Sequence, residues 1–340
     1  MLLPTSKTFV SADMSLAGGA VLPELTVAYE TWGTLNAKAD NAILLCHGYT
    51  NYPHATGSDS GWAVNLIGPG KAVDTDKYFV VCSNMLGSAY GTSGPNTINP
   101  KTGKNWGPDF PKYSTADMVE AQRRLIDHLG IGQLKAVMGY SYGGHLTFLW
   151  GATHPERMRC LVPIAGVIER KTTPAQVQAI RDRYVHCMGW NGGHYYGHEH
   201  EGVYDQMVKD RIERLTNYGI GTHLADTVGD PAKCEQIIRQ RAEKWAKEFD
   251  ANSLYILYEA GIGSNVTPRA GNIRAPLLNV LADTDSVVDV KLGQPTVDLL
   301  KAKGVKAEFL ELKTRYGHAG PMIDAHKWEA KLREFLASVP

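Results

Sequence analysis

Gly139-Tyr140-Ser141-Tyr142-Gly143 lies between an apolar run, Leu134 to Met138, and a segment of helical spacing from about Gly144 to His154 that ends at Pro155. How these five residues are read decides the fold. A G-x-S-x-G pentapeptide alone is a weak signal, because a chain with 35 glycines can contain one by chance. Between a strand and a helix it has the context of a nucleophile elbow. That turn is tight and strained, and a Cβ at either flanking position would strike neighbouring backbone. It lifts the Ser141 hydroxyl clear of the sheet, at the positive end of a helix dipole.

Outward from the elbow, further apolar runs occur at Ala42 to Cys46, Tyr78 to Cys82 and Arg159 to Ile164. Continuous runs of this kind suit strands buried on both faces. Ser114-Thr115-Ala116-Asp117 has capping-box spacing and opens a helical pattern through Ala121, Leu125 and Leu129, closed by Gly130. The alternation predicts a parallel sheet with helices on both faces. A long loop, Gly87 to Pro111, interrupts it, and loops of that length in a compact domain usually serve function. Between Val167 and Arg274 no buried strand is evident. Thr173-Pro174 and Asp230-Pro231 have the form of helix starts, and Ile237, Ala242, Trp245 and Phe249 follow with helical spacing. The sheet is expected to resume at Pro276 to Leu281 and Ala307 to Leu312, before a last helix from about Ile323 to Ala337. The predicted organisation is a core of residues 1–166 and 275–340 with a helical cap, or lid, at 167–274.

The 340 residues are 43% hydrophobic, enough for a sizeable core. Lys+Arg and Asp+Glu both number 35, and no basic stripe stands out, which disfavours nucleic acid as a partner. No apolar run approaches the length of a membrane helix. The first residues, Met1 to Lys7, lack the form of a signal peptide, and five Cys at 46, 82, 160, 187 and 234 have no paired spacing. Free thiols in the cytoplasm are therefore expected. A homodimer is compatible with the sequence.

A serine hydroxyl needs a base. In elbow folds the partners follow in the order Ser, acid, His. His318, in Tyr316-Gly317-His318-Ala319-Gly320, falls between the last strand and the last helix, and is the candidate base. The preferred acid is Asp285, followed by one polar and two apolar residues, with Asp283 and Asp289 as alternatives. The oxyanion donors are expected to be the backbone N–H groups of Tyr142, which follows the nucleophile, and Tyr49, in the loop after the first core strand. His47 reads as structural. The run His194 to Glu201 is rich in His but lacks a metal-binding spacing, and reads as polar surface or a hinge; no metal or cofactor is required.

These residues resemble the homoserine O-acetyltransferase-like family of α/β-hydrolases. The resemblance is carried by Cys46-His47-Gly48, by Asn84-Met85-Leu86-Gly87 through Gly91-Thr92-Ser93-Gly94-Pro95, by Asp109-Phe110-Pro111, and by the elbow, Asp285 and Gly317-His318. It implies an α/β-hydrolase fold, a Ser141-His318-Asp285 triad and acyl-enzyme chemistry with a small acyl group. Two departures bear on the acceptor. The transferases carry Asp after the catalytic His, where this chain has Ala319, and a Tyr-Arg-Ser element, where the nearest match is Tyr218-Gly219-Ile220. Without those charges a zwitterion is costly to bind. The resulting expectation is a serine ester hydrolase acting on short acetate-type esters, as in an esterase branch of the family, with water as acceptor. The alternative is an O-acyltransferase moving acetyl from acyl-CoA to a small alcohol, in which Arg181, Arg183 or Arg211 would supply the missing cation.

Overall fold

The computed structural model describes residues 6–58 and 60–340. Eight strands form the central sheet: β1 (Lys7–Ser11), β2 (Leu25–Trp32), β3 (Ala42–Cys46), β4 (Phe79–Ser83), β5 (Ala136–Tyr140), β6 (Leu161–Ile164), β7 (Leu277–Ala282) and β8 (Ala307–Leu312). Their spatial order is β1-β2-β4-β3-β5-β6-β7-β8. Only β2 runs against its neighbours; the six strands from β4 to β8 are mutually parallel. Every residue of β3, β5, β6 and β7 is buried, as strands covered on both faces require.

Two hydrophobic clusters lie on the two faces. Leu44 and Val137 point into one, with the inner sides of α1 (Thr115–His128) and α2 (Tyr142–Thr153). Ile43, Leu45, Ala136 and Met138 alternate into the other, against Ala63 to Val73 and the C-terminal Leu332, Phe335 and Leu336. Between β6 and β7 the chain forms α3 (Pro174–Asp182), α4 (Val203–Asn217), α5 (Ile220–Thr227), α6 (Pro231–Glu248) and α7 (Ala251–Glu259), and adds no strand to the sheet among the described residues. The starts of α3 and α6 are set locally. The Thr173 hydroxyl accepts from Gln176 N at 3.3 Å, and Asp230 Oδ1 accepts from Ala232 N at 3.0 Å.

The C-terminal helix differs from the sequence expectation. After α8 (Gly293–Ala302) and β8, the chain makes α9 (Gly320–Ile323), a 3₁₀ turn at Ala325–Lys327, and α10 (Glu329–Ala337). The break seats Trp328 in the core, where its indole N–H donates to Pro321 O at 2.8 Å. A continuous helix would lack the turn that brings this side chain inward.

Candidate active site

The elbow places Ser141 between β5 and α2 with φ 57° and ψ −113°, a strained left-handed conformation for a residue with a Cβ. It is held by Ser141 N–H donating to Ile164 O at 2.8 Å. Gly143 is obligatory here: a Cβ would lie 1.9 Å from Cys46 O, inside the backbone of β3.

The structure brings Ser141, His318 and Asp285 into one hydrogen-bonded line. His318 Nε2 is 2.8 Å from Ser141 Oγ, and Nδ1 is 2.7 Å from Asp285 Oδ2. The other Asp285 oxygen accepts from Val287 N at 2.7 Å and Val288 N at 3.1 Å, which fixes the carboxylate. Asp283 and Asp289 are engaged elsewhere. Asp283 accepts from Thr314 N at 3.0 Å and faces Lys313, and Asp289 accepts from Lys291 N at 2.9 Å. His318 is itself clamped. The Tyr140 hydroxyl donates to its carbonyl at 2.8 Å, and the Tyr140 and Tyr218 rings lie 5.2 and 5.0 Å from the imidazole.

The loop after β3 abuts the nucleophile, because an ideal Cβ on Gly48 would sit 3.6 Å from the Ser141 Cβ. Tyr142 is the first residue of α2, so its N–H has no intrahelical acceptor. Both tyrosine side chains reach the cap: Tyr49 donates to Leu254 O, and Tyr142 to Leu257 O at 2.8 Å. Their rings stack at 6.5 Å. His47 supports this loop from within the core. Its Nδ1–H donates to Gly48 O at 2.8 Å and its Nε2 accepts from Met85 N at 3.2 Å. Burial lowers its pKa to about 4, so it stays neutral.

Ser141 opens into a cavity of about 420 Å³ lined by Tyr49, Tyr142, Tyr218 and Tyr258, by the apolar Val287, Val288 and Leu292, and by Arg170 and Lys171. In the His-rich run the histidines are exposed, with His194 facing Asp109 at 3.5 Å and His198 pairing with Glu201 at 2.8 Å, whereas Tyr195 is buried and donates to Asp250 at 2.7 Å. Among the described residues, no group of three or more His, Cys, Asp or Glu is placed to hold a metal ion. No helix among them is long and apolar enough to cross a membrane.

One of the two departures, Gly219, has a structural account. Gly219 has φ 91°, and its backbone packs so closely on the catalytic loop that a Cβ would lie 2.2 Å from Tyr316 O. Ala319 N–H donates to Tyr218 O at 2.9 Å from the same junction. Position 219 is thus a cap-to-core contact with no room for a side chain. Two arginines stand on the preceding helix. Arg211 Nη1 donates to Thr50 Oγ1 at 2.7 Å and its guanidinium lies 5.0 Å from the Trp245 ring. Arg214, one turn on, lies 5.2 Å from the Tyr49 ring. Arg183 is committed to Asp210 and Glu213, and Arg181 lies over Tyr255. Sequence reasoning named Arg211 but missed Arg214 and Arg170, since charges on a helix or loop read as solvated until packing is known.

Residues 41–320 match the α/β-hydrolase fold family. Along nearly its whole length the chain is similar to homoserine O-acetyltransferases. It is 34% identical to that of Deferribacter desulfuricans, covering 99% of this chain and 96% of that protein. It is 33% identical to that of Haemophilus influenzae, covering 97% of each. Among solved structures, esterase E22 superposes with a TM-score of 0.86 at 26% identity, covering 97% of this chain and 99% of that one. A homoserine O-acetyltransferase from Bacillus anthracis superposes with a TM-score of 0.83 at 28% identity, covering 97% of each. The full-length similarity to transferases overturns the expectation of a short-chain ester hydrolase with water as acceptor. That expectation sought the acceptor's cation at position 219, where no side chain fits, whereas Arg211 and Arg214 stand on the helix before it.

Proposed function

The chain belongs to the α/β-hydrolase fold family and, within it, to the homoserine O-acetyltransferase-like branch, and on that premise we propose that it is an O-acyltransferase. It moves an acetyl group from acetyl-CoA to the hydroxyl of a small alcohol bearing a carboxylate. The observation that carries this reading is the 33–34% identity to homoserine O-acetyltransferases over 97–99% of the chain.

The geometry supplies a route. His318 Nε2 takes the Ser141 proton as Oγ attacks the thioester carbonyl. Asp285 orients the imidazole and stabilises its cation. The Tyr49 and Tyr142 N–H groups face the developing oxyanion, where a donor of this type is worth roughly 10²–10³-fold in rate. The C–S bond breaks and His318 returns the proton to the thiolate, which leaves as free CoA. The acceptor hydroxyl then gives its proton to His318 and attacks the acetyl-enzyme. The ester forms, and the proton passes back to Ser141 as its bond to the acyl group breaks. Arg211 and Arg214, beside Tyr49 and Thr50, offer the acceptor carboxylate a charged partner.

The test is thiol release from acetyl-CoA with and without small hydroxy acids and hydroxy amino acids, with products identified by mass spectrometry. We expect acceptor-dependent release and an O-acetylated product, both lost in Ser141→Ala. Thioester cleavage that yields only acetate, whatever acceptor is present, rejects the transferase reading.

A further inference from the structure

One guanidinium, that of Arg170, lines the cavity, and two more, Arg211 and Arg214, stand behind its wall against Thr50 and the Tyr49 ring; none of the three is in an ion pair among the described residues. Arg170 lines the cavity, and its Cζ lies 4.0 Å from the centre of the Tyr142 ring, next to the nucleophile. Its Nε is buried without a hydrogen-bond partner, and its one side-chain hydrogen bond is a long 3.4 Å contact to Thr172 Oγ1. Arg211 has one neutral partner, Thr50, and its Nε is buried and unpartnered. Arg214 has a buried, unpartnered Nη1 and an aromatic ring as its neighbour. Arg211 and Arg214 are three residues apart on α4, which places them on one face of the helix, and burial together with the Arg214 charge disfavours the Arg211 cation.

The carboxylates nearby are already committed. Asp285 holds His318 and two backbone N–H groups. Asp210, on the same helix, accepts from Arg183, Tyr184 and Gln206. Glu169, at the cavity's exposed rim, accepts from Asn265. Glu248 lines a different cavity. Asp210 and the surrounding phenols favour the Arg214 cation, but buried Arg211 has no carboxylate partner, and a bound anion would offset the cost of burying its charge. An ammonium group placed among them adds a fourth cation.

We propose that the acceptor is a small hydroxy acid of net negative charge, with one or two carboxylates and no ammonium, and that Arg214 is the residue that selects it over a hydroxy amino acid. This rests on the acyltransferase reading above. Arg211 and Arg214 hold the acceptor's carboxylate from one side, so that its hydroxyl reaches the acyl-enzyme along the Tyr49–Tyr218 wall. The site then discriminates between acids of the same length by charge alone.

The experiment compares three acceptors with acetyl-CoA and the full chain: homoserine, 4-hydroxybutyrate, which is homoserine without its ammonium, and malate. Product is quantified by mass spectrometry. We expect at least one of the two ammonium-free acids to exceed homoserine in kcat/KM by about tenfold or more, the scale of one charge-assisted contact. Arg214→Gln is expected to raise KM for that acid and to shrink its advantage over homoserine, whereas Arg214→Lys retains most of it. Rates are normalised to the burst of p-nitrophenol from p-nitrophenyl acetate, which counts folded, acylable enzyme in each variant. Homoserine as the best of the three in the wild type overturns the proposal while leaving the transferase intact. An acceptor ratio unmoved by Arg214→Gln overturns the role of Arg214. Transfer to none of the three, with acetate as the product, overturns both readings.

Discussion

Replacing Gly219 with alanine tests how the segment before α5 positions His318, the proposed base. Gly219 is held at φ 91°, where an alanine costs about 1–2 kcal/mol before any contact is counted. The added methyl would lie 2.2 Å from Tyr316 O and 2.5 Å from Tyr316 C, both backbone atoms that cannot rotate away. Restoring an ordinary contact takes roughly 1 Å of movement between the cap and the 316–319 loop. That loop carries His318, and Ala319 N–H is bonded to Tyr218 O at the same junction. A displacement of about 1 Å at a catalytic group costs on the order of 10²-fold in rate. Gly219→Ala should therefore lose about 2–4 kcal/mol of stability, combining the backbone and steric terms. It should also lower acyl-enzyme formation by about 10²-fold. Gly219→Arg, which restores a cation to this position, should be worse in both measures. Urea unfolding followed by tryptophan fluorescence gives the first quantity and stopped-flow p-nitrophenol release the second. A Gly219→Ala protein with wild-type midpoint and wild-type burst rate would show that the junction does not position His318.

Ser141→Ala should abolish thioester and ester turnover by 10⁴-fold or more with the fold intact, and a fluorophosphonate probe should label Ser141 alone; labelling of another serine rejects the elbow as the reactive centre. Asp285→Asn should cost on the order of 10⁴-fold, whereas Asp283→Asn, which removes only the partner of Thr314 N and Lys313, should cost far less, and reversed effects would reassign the acid. His47 and His145 are buried and neutral, with pKa values lowered to about 4 and about 3 by burial. Because the unfolded chain takes up these protons near pH 6.5 and the folded chain does not, their stabilisation is complete above pH 6.5 and is lost as pH falls toward 4. It should decline by about 2 kcal/mol per group between pH 7 and 5. Urea midpoints that stay flat across that interval would show that the two imidazoles are not kept neutral by the fold.

What could be read from the sequence was what local chemistry decides. The caps at Ser114, Thr173 and Asp230 involve partners within three residues, and all three begin helices. The buried runs of β3, β5 and β7 are apolar at nearly every position, which leaves little freedom of assignment. β1, at the edge of the sheet, and β2, beside it, escaped notice because polar residues such as Lys7, Thr26 and Glu30 interrupt the pattern. The break before Trp328 depends on Thr314 donating to Asp324 at 2.7 Å, a contact across a loop that no periodicity reports. At the site, Ser141 and His318 stood out because glycines mark their turns. Arg214 did not, because its neighbour Tyr49 is 165 positions away in the chain and only folding brings them together.

The phenols of Tyr49 and Tyr142 join the two residues proposed to face the oxyanion to carbonyls of α7. In that proposal one end of each residue serves the chemistry, while the other end bolts the roof down. A roof fastened through those residues cannot swing aside for each turnover without slackening the groups that stabilise the transition state. The cap therefore works as a fixed vault rather than a hinged lid. On the acyltransferase reading, donor and acceptor would then have to use the same cavity in turn, the one that Ser141 shares with Arg170 and Lys171.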